Sequence, residues 1–302
     1  MDKVTLNYFA GVETGGTKIK CIIACDPAHV ISEMVLPTLD PDLTIQKVIQ
    51  FFKDGEERYG IPITSMGVGA FGPLDLNPSS ASYGSVTSTP KLVWQNYPLL
   101  AKLQSAFPFP ITIDTDVNAA LLGETRWGAG IGFSDLVYVT VGTGIGGGVL
   151  SNGKLVHGLI HPELGHMIIQ HDTQVDPFEG ICPFHKDCLE GLASGTSMTA
   201  RWGTNPVQLP YNHPGWDLEA AYLAQMCLNL TLIISPQRII IGGGVPQHNG
   251  LFANIRSKFQ SLLNNYMVSS SFSEKIESYI VPPMLGNRAG IFGAIALART
   301  LI

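Results

Sequence analysis

Two glycine-dense stretches, Gly11-Val-Glu-Thr-Gly-Gly-Thr-Lys18 and Gly142-Thr-Gly-Ile-Gly-Gly-Gly148, each join two apolar runs rich in β-branched residues. A strand-like run from about Phe9 enters the first, and Ile19 to Ala24 resume the pattern after it. Leu-Val-Tyr-Val-Thr-Val runs from Asp135 into the second, and Val149-Leu150 continue before the turn Ser151-Asn-Gly153. Each reads as a hairpin with glycines at its tip. A missing Cβ lets backbone N–H groups approach an anion, so both tips are expected to cradle phosphate. The first adds the hydroxyls of Thr14 and Thr17 and the ammonium of Lys18, suited to a triphosphate. One such device in each half suggests two related α/β lobes facing one another, with ATP between the tips.

Two familiar nucleotide motifs are set aside on context. Gly142-Thr-Gly144-Ile-Gly-Gly147 satisfies G-x-G-x-x-G literally. That fingerprint must open a helix, whereas Val149-Leu150 and Asn152-Gly153 predict a strand and a turn. The segment Gly11 to Lys18 misses the Walker pattern, because Thr17 separates Gly16 from Lys18 and no helix-opening Ser or Thr follows.

Elsewhere, helical spacing runs over Leu43 to Tyr59, Asp217 to Ile234, Leu251 to Tyr266 and the Ala-rich Ala289 to Leu301. Short strands are expected at Ser65 to Phe71, Pro110 to Asp114 and Arg238 to Ile241, and a helix from about Asn118 to Trp127. The 302 residues, 45% of them hydrophobic, exceed what one ordinary core serves, so two lobes are expected. A net charge of −6 without any clustered Lys/Arg run argues against a nucleic-acid partner. The N-terminal run Met1 to Ala10 lacks a signal-peptide core and no later stretch reads as long enough to span a bilayer, so no membrane partner and a cytoplasmic setting are expected.

In that setting the five cysteines do not suggest disulfides. Cys182-Pro-Phe-His185-Lys-Asp-Cys188 offers thiolate, imidazole and thiolate on one short loop, a natural zinc set. His166 is the best-placed fourth ligand, with His161, His171 and His157 as weaker choices. His161 and His166 stand five apart and cannot share a helical face as a metalloprotease pair does, so the ion is read as structural Zn2+.

Asp116 follows the strand ending at Asp114 and could accept a hydroxyl proton during phosphoryl transfer. Asp114 is the rival carboxylate, and Asp116 could instead cap the helix beginning at Asn118. Asn96, Asn118, Glu163 and Glu190 are polar groups in the same motif-bearing segments that could receive a polyol.

Together, Gly11 to Lys18, Thr115-Asp-Val-Asn-Ala-Ala120, Gly142 to Gly148, Glu163-Leu-Gly-His166 and Cys182 to Glu190 resemble the ROK sugar kinases, and Cys182 to Gly195 looks like their fructokinase branch. The resemblance implies an α/β fold of the actin-like ATPase type, two RNase H-like lobes with an interlobe cleft. The lobes would be residues 1–117, completed by 289–302, and residues 118–288, which carry the zinc loop. It implies ATP with Mg2+, Asp116 as base, and Gly15, Gly16, Thr17, Lys18, Thr143, Gly144 and Gly195 on the phosphate side. Gly242, Gly243, Gly244 and Val245 would form the adenosine-side turn. Gly72, Asn96, Asn118, Glu163, His166 and Glu190 would meet the sugar, and His166, Cys182, His185 and Cys188 would hold zinc bracing the sugar pocket.

Many members carry Asp where Glu13 stands and Asn where Thr115 stands. Those that repress transcription carry a DNA-binding module ahead of the first hairpin, where this chain has about ten residues. The expected activity is ATP-dependent conversion of fructose to fructose 6-phosphate by a homodimer. The rivals are a mannose or broad-specificity hexose kinase on the same fold and a sugar-sensing binding protein without turnover.

Overall fold

A computed structural model describes residues 7–89 and 91–302. Pro90 and residues 1–6, the start of the N-terminal run read above, lie outside the described residues. The chain opens with β1 (Tyr8–Thr14), β2 (Lys18–Asp26) and β3 (His29–Pro37), then α1 (Pro41–Tyr59), β4 (Ile63–Ala70), α2 (Leu99–Gln104), β5 (Ile111–Thr115) and α3 (Asp116–Trp127). It continues with β6 (Leu136–Val141), β7 (Ile145–Ser151), β8 (Lys154–Leu155), α4 (Leu189–Ala193), α5 (Gly195–Trp202), α6 (Gly215–Ile234) and β9 (Arg238–Gly242). Last come α7 (Leu251–Leu263), α8 (Ile276–Tyr279), β10 (Ile280–Val281) and α9 (Ala289–Ala298).

The contacts divide the chain into two units, one of residues 1–131, 157–161 and 288–302, the other of 132–156 and 162–287. The first unit's sheet has the order β3-β2-β1-β4-β5, and the second's is β10-β9-β6-β7-β8. Read from its other edge, the second sheet is third, second, first, fourth and fifth strand in chain order, the same arrangement as the first. In each, the first two strands are antiparallel and the first and fourth parallel. The repeated device seen in the sequence is therefore a repeated sheet.

Local chemistry sets the first unit's elements. The Asp40 side chain caps α1 by accepting from the Leu43 N–H, Pro41 begins it, and Gly60 in the left-handed region ends it. Ile45, Val48 and Phe52 form its buried stripe. Residues 118–131, assigned above to the second lobe, belong to the first unit, because α3 packs along α9. Their approach depends on Gly293, where a Cβ would overlap the Ala119 carbonyl.

In the second unit α6 lies among the core side chains, with Ala220, Leu223, Ala224, Met226 and Cys227 fully buried. This helix corrects the expectation that no stretch is long enough to span a bilayer: its 20 residues pass by length and composition. Here its apolar surface serves a protein core, and about half of the helix is buried. Helix α7 stops at Leu263 and not at Tyr266, because Asn264 and Asn265 adopt positive φ of 46° and 58°.

Candidate active site and metal centre

In the first unit, the β1–β2 turn is closed by the Gly15 N–H donating to the Lys18 carbonyl at 2.8 Å. Gly16, Thr17 and Lys18 are exposed at its tip, while Gly15 is half-buried. Thr14 is fully buried and its hydroxyl oxygen accepts from the Phe71 N–H at 3.2 Å, which makes it a tie to the end of β4. Both oxygens of Glu13 accept from Lys20, at 3.2 and 3.0 Å. Burial pushes the Glu13 carboxyl up, with Lys20 opposing.

Asp116 is the first residue of α3 and half-buried. The helix cap is Thr115, whose hydroxyl accepts from the Asn118 N–H at 3.1 Å. The capping task considered for Asp116 is thus filled by its neighbour. One Asp116 oxygen accepts from the Val117 N–H at 2.9 Å, and a carboxylate in the first helical turn is favoured by the helix dipole.

The rival Asp114 is only 5% exposed and heavily engaged. Its Oδ1 accepts from the Thr115 N–H and from Asn118 Nδ2, each at 2.7 Å, and Oδ2 lies 2.8 Å from His157 Nε2. That contact raises the His157 pKa against the opposing effect of burial. Asn118 itself is fully buried, and its Oδ1 has no hydrogen-bond partner among the described residues. Gly72 faces His161, where a Cβ would stand 3.4 Å from the ring; His161 Nε2 accepts from the Leu74 N–H at 3.1 Å. Asn96 is exposed in the left-handed region at φ 57°.

In the second unit, the β6–β7 tip is closed by the Gly142 N–H donating to the Gly144 carbonyl at 2.9 Å, with Thr143 exposed. Gly195 begins α5 and donates its N–H to the Gly142 carbonyl at 2.7 Å. At the end of β9, Gly243 has φ 101° and packs on Val141, where any Cβ would collide with backbone. Gly242 and Gly243 line a pocket of about 250 Å³ together with Gln247, Phe252, Pro283 and Asn287. A larger pocket of about 470 Å³, against β3 and α1, contains none of the candidate residues.

The four sequence-chosen metal ligands do converge: one ligand atom from each of His166, Cys182, His185 and Cys188 lies within 4.8 Å of the others. His166 Nδ1 is 3.6 Å from both sulfurs, and His185 Nδ1 is 3.8 Å from Cys182 Sγ. A tetrahedral zinc with ordinary Zn–S and Zn–N bonds has an N-to-S edge of about 3.5 Å, so the donor set fits. The weaker fourth ligands are occupied elsewhere: His157 by Asp114, His161 by Leu74, and His171 by Asp187 and the Asp176 carbonyl. Glu163 is exposed just ahead of His166, and Glu190 Oε1 lies 4.0 Å from His166 Nε2.

Sequence reasoning missed the His157–Asp114 contact, which spans 43 positions and carries no local signal. It also missed Thr196, whose hydroxyl donates to the Thr143 carbonyl at 2.7 Å.

A family model described as the ROK family matches residues 9–301. The chain belongs to the ROK family. It is 42% identical to a fructokinase of Zymomonas mobilis over 290 residues, covering 95% of each chain. Identity to a fructokinase of Lactococcus lactis is 41% over 295 residues, 97% of this chain and 98% of that one. Among solved structures it is similar to a ROK hexokinase from Thermus thermophilus, with a TM-score of 0.77 and 25% identity over 97% of this chain and 98% of that one. The fold of the family, actin-like ATPase with two mixed sheets, is the one described above.

Proposed function

We propose that this ROK protein transfers the γ-phosphoryl group of ATP to fructose, giving fructose 6-phosphate and ADP. The observation that carries the reading is near-full-length identity of 41 and 42% to two fructokinases. In this reading Asp116 takes the proton of the attacking sugar hydroxyl. The new O–P bond forms as the bond from the γ-phosphorus to the ADP oxygen breaks, and the proton stays on the Asp116 carboxylate. Its place at the start of α3, with Thr115 as the cap, supports that role.

Gly16, Thr17 and Lys18 of the first hairpin, and Thr143 and Gly144 of the second, hold phosphate oxygens through amides, hydroxyl and ammonium, while Gly15 and Gly195, whose N–H groups bond the Lys18 and Gly142 carbonyls, let the backbone of each cradle come close. Gly242 to Val245 and the adjoining pocket take the adenosine end. Gly72, Asn96, Asn118, Glu163, His166 and Glu190 take the sugar. The unpartnered Oδ1 of buried Asn118 supports this, because a ligand hydroxyl would satisfy it. Mg2+ bound to the triphosphate supplies charge neutralisation, and Glu13 and Asp116 are carboxylates of the first unit that would meet its water shell. His166, Cys182, His185 and Cys188 hold structural Zn2+, supported by ligand spacings that match a tetrahedron. The protein is read as a cytoplasmic homodimer without nucleic-acid or membrane partners; for nucleic acid the reading rests on the net charge of −6.

The test is ADP release from ATP with a panel of hexoses. D-fructose should give the highest kcat/KM. A higher value with mannose would move the assignment to a hexose kinase of other preference, and absence of ADP release with any hexose would leave a sugar-binding protein.

A further inference from the structure

The segment that follows the metal ligands grips the second glycine hairpin residue by residue. Glu190 Oε2 accepts from the Ile145 N–H at 2.8 Å. Gly144 lies so close to the same oxygen that a Cβ would stand 2.5 Å from it. The Gly195 N–H donates to the Gly142 carbonyl and the Thr196 hydroxyl to the Thr143 carbonyl, both at 2.7 Å. Every residue from Gly142 to Ile145 is therefore in contact with residues 190–196.

The clamp is itself anchored. The Glu190 carbonyl accepts from the Ser197 hydroxyl at 2.7 Å and from the Ser194 N–H at 3.2 Å, which fixes the residue across the α4–α5 junction. Cys188 is the N-cap of α4, two residues before Glu190. On the hairpin's other flank Leu164 packs over Gly147, and Gly165 lies against the Ile145 carbonyl with no room for a Cβ. The two flanks are joined by the Leu189 N–H donating to the Met167 carbonyl at 3.0 Å, and by the cluster of His166 with Cys188.

We propose that Glu190 is a positioning residue for the nucleotide: together with Thr196 it fixes the β6–β7 tip in the form that aims its free amides at phosphate, and the metal cluster stiffens both flanks of that clamp. The role is distinct from a contact to sugar and rests on the reading that this hairpin takes ATP. Preorganised amides bind an anion without first having to be ordered, and a carboxylate-to-amide bond is a strong means of ordering them. The carboxylate also has a drawback, since its charge stands beside an anion site. The hydrogen bond and the charge are therefore separable by amide substitution.

The experiment measures ADP affinity by calorimetry without sugar, and deuterium exchange of residues 142–148 without nucleotide. Glu190→Ala should weaken ADP binding about tenfold and speed exchange of the hairpin. Glu190→Gln, which keeps an acceptor for the Ile145 N–H, should exchange like the wild type and bind ADP at least as tightly. Thr196→Val should weaken ADP binding about threefold and speed exchange; it reads the same clamp should Glu190→Ala fail to fold. ADP affinity and exchange within twofold of wild type in Glu190→Ala, or in Thr196→Val where the former does not fold, overturn the role while leaving the kinase reading intact. Wild-type protein that binds no ADP removes both.

Discussion

His157 Nε2 and Asp114 Oδ2 stand 2.8 Å apart, and the second oxygen of the same carboxylate holds Asn118 Nδ2 at 2.7 Å. The buried end of β5 is thereby tied to a segment 43 residues onward. The hydrogen bond to Asp114 raises the His157 pKa, so the folded state favours the imidazolium. Such a group contributes stability that is complete below its unfolded value of about 6.5 and is lost as pH rises through the folded value. His157→Gln should therefore lower Tm more at pH 6 than at pH 9. Equal losses at both pH values would show that the pair acts without its charge.

Metal analysis of the purified protein should find one zinc per chain. Cys182→Ser removes one corner of the tetrahedron formed with His166, His185 and Cys188, and should lower Tm by roughly 5–10 °C. Protein that contains no zinc and loses no stability on this substitution would contradict the site.

The packing of α9 on α3 depends on Gly293, where a Cβ would meet the backbone carbonyl of Ala119. Backbone cannot swing aside as a flexible side chain can, so Gly293→Ala should destabilise by about 1–3 kcal/mol. Because Asp116 begins the same helix, kcat should fall as well. A denaturation midpoint equal to wild type would show that the two helices part without penalty.

The glycine hairpins are legible because a strand-turn-strand pattern and its tip are local, and the Cys182 to Cys188 loop because three metal ligands crowd into seven residues. Strand β3 (His29–Pro37) was not read: it is an edge strand with alternating, half-exposed residues, and Pro37 ends it. The place of residues 118–131 in the first unit also escaped, since it is decided by α9 packing from the far end of the chain. The sequence offers Glu190 as a polar group for a polyol, but its acceptance of the Ile145 N–H spans 45 positions and has no local signature. Helix α6 shows the reverse failure, an apolar pattern whose partner, core or lipid, composition alone does not distinguish.

The central claim is that Asp116 accepts the sugar proton during phosphoryl transfer from ATP. Asp116→Asn, assayed by ADP release with saturating ATP and D-fructose alongside fructose affinity by calorimetry, tests it most directly. The account predicts a loss of kcat of about 10²–10⁴ with fructose affinity within a few-fold of wild type. A variant that keeps kcat within tenfold would contradict it.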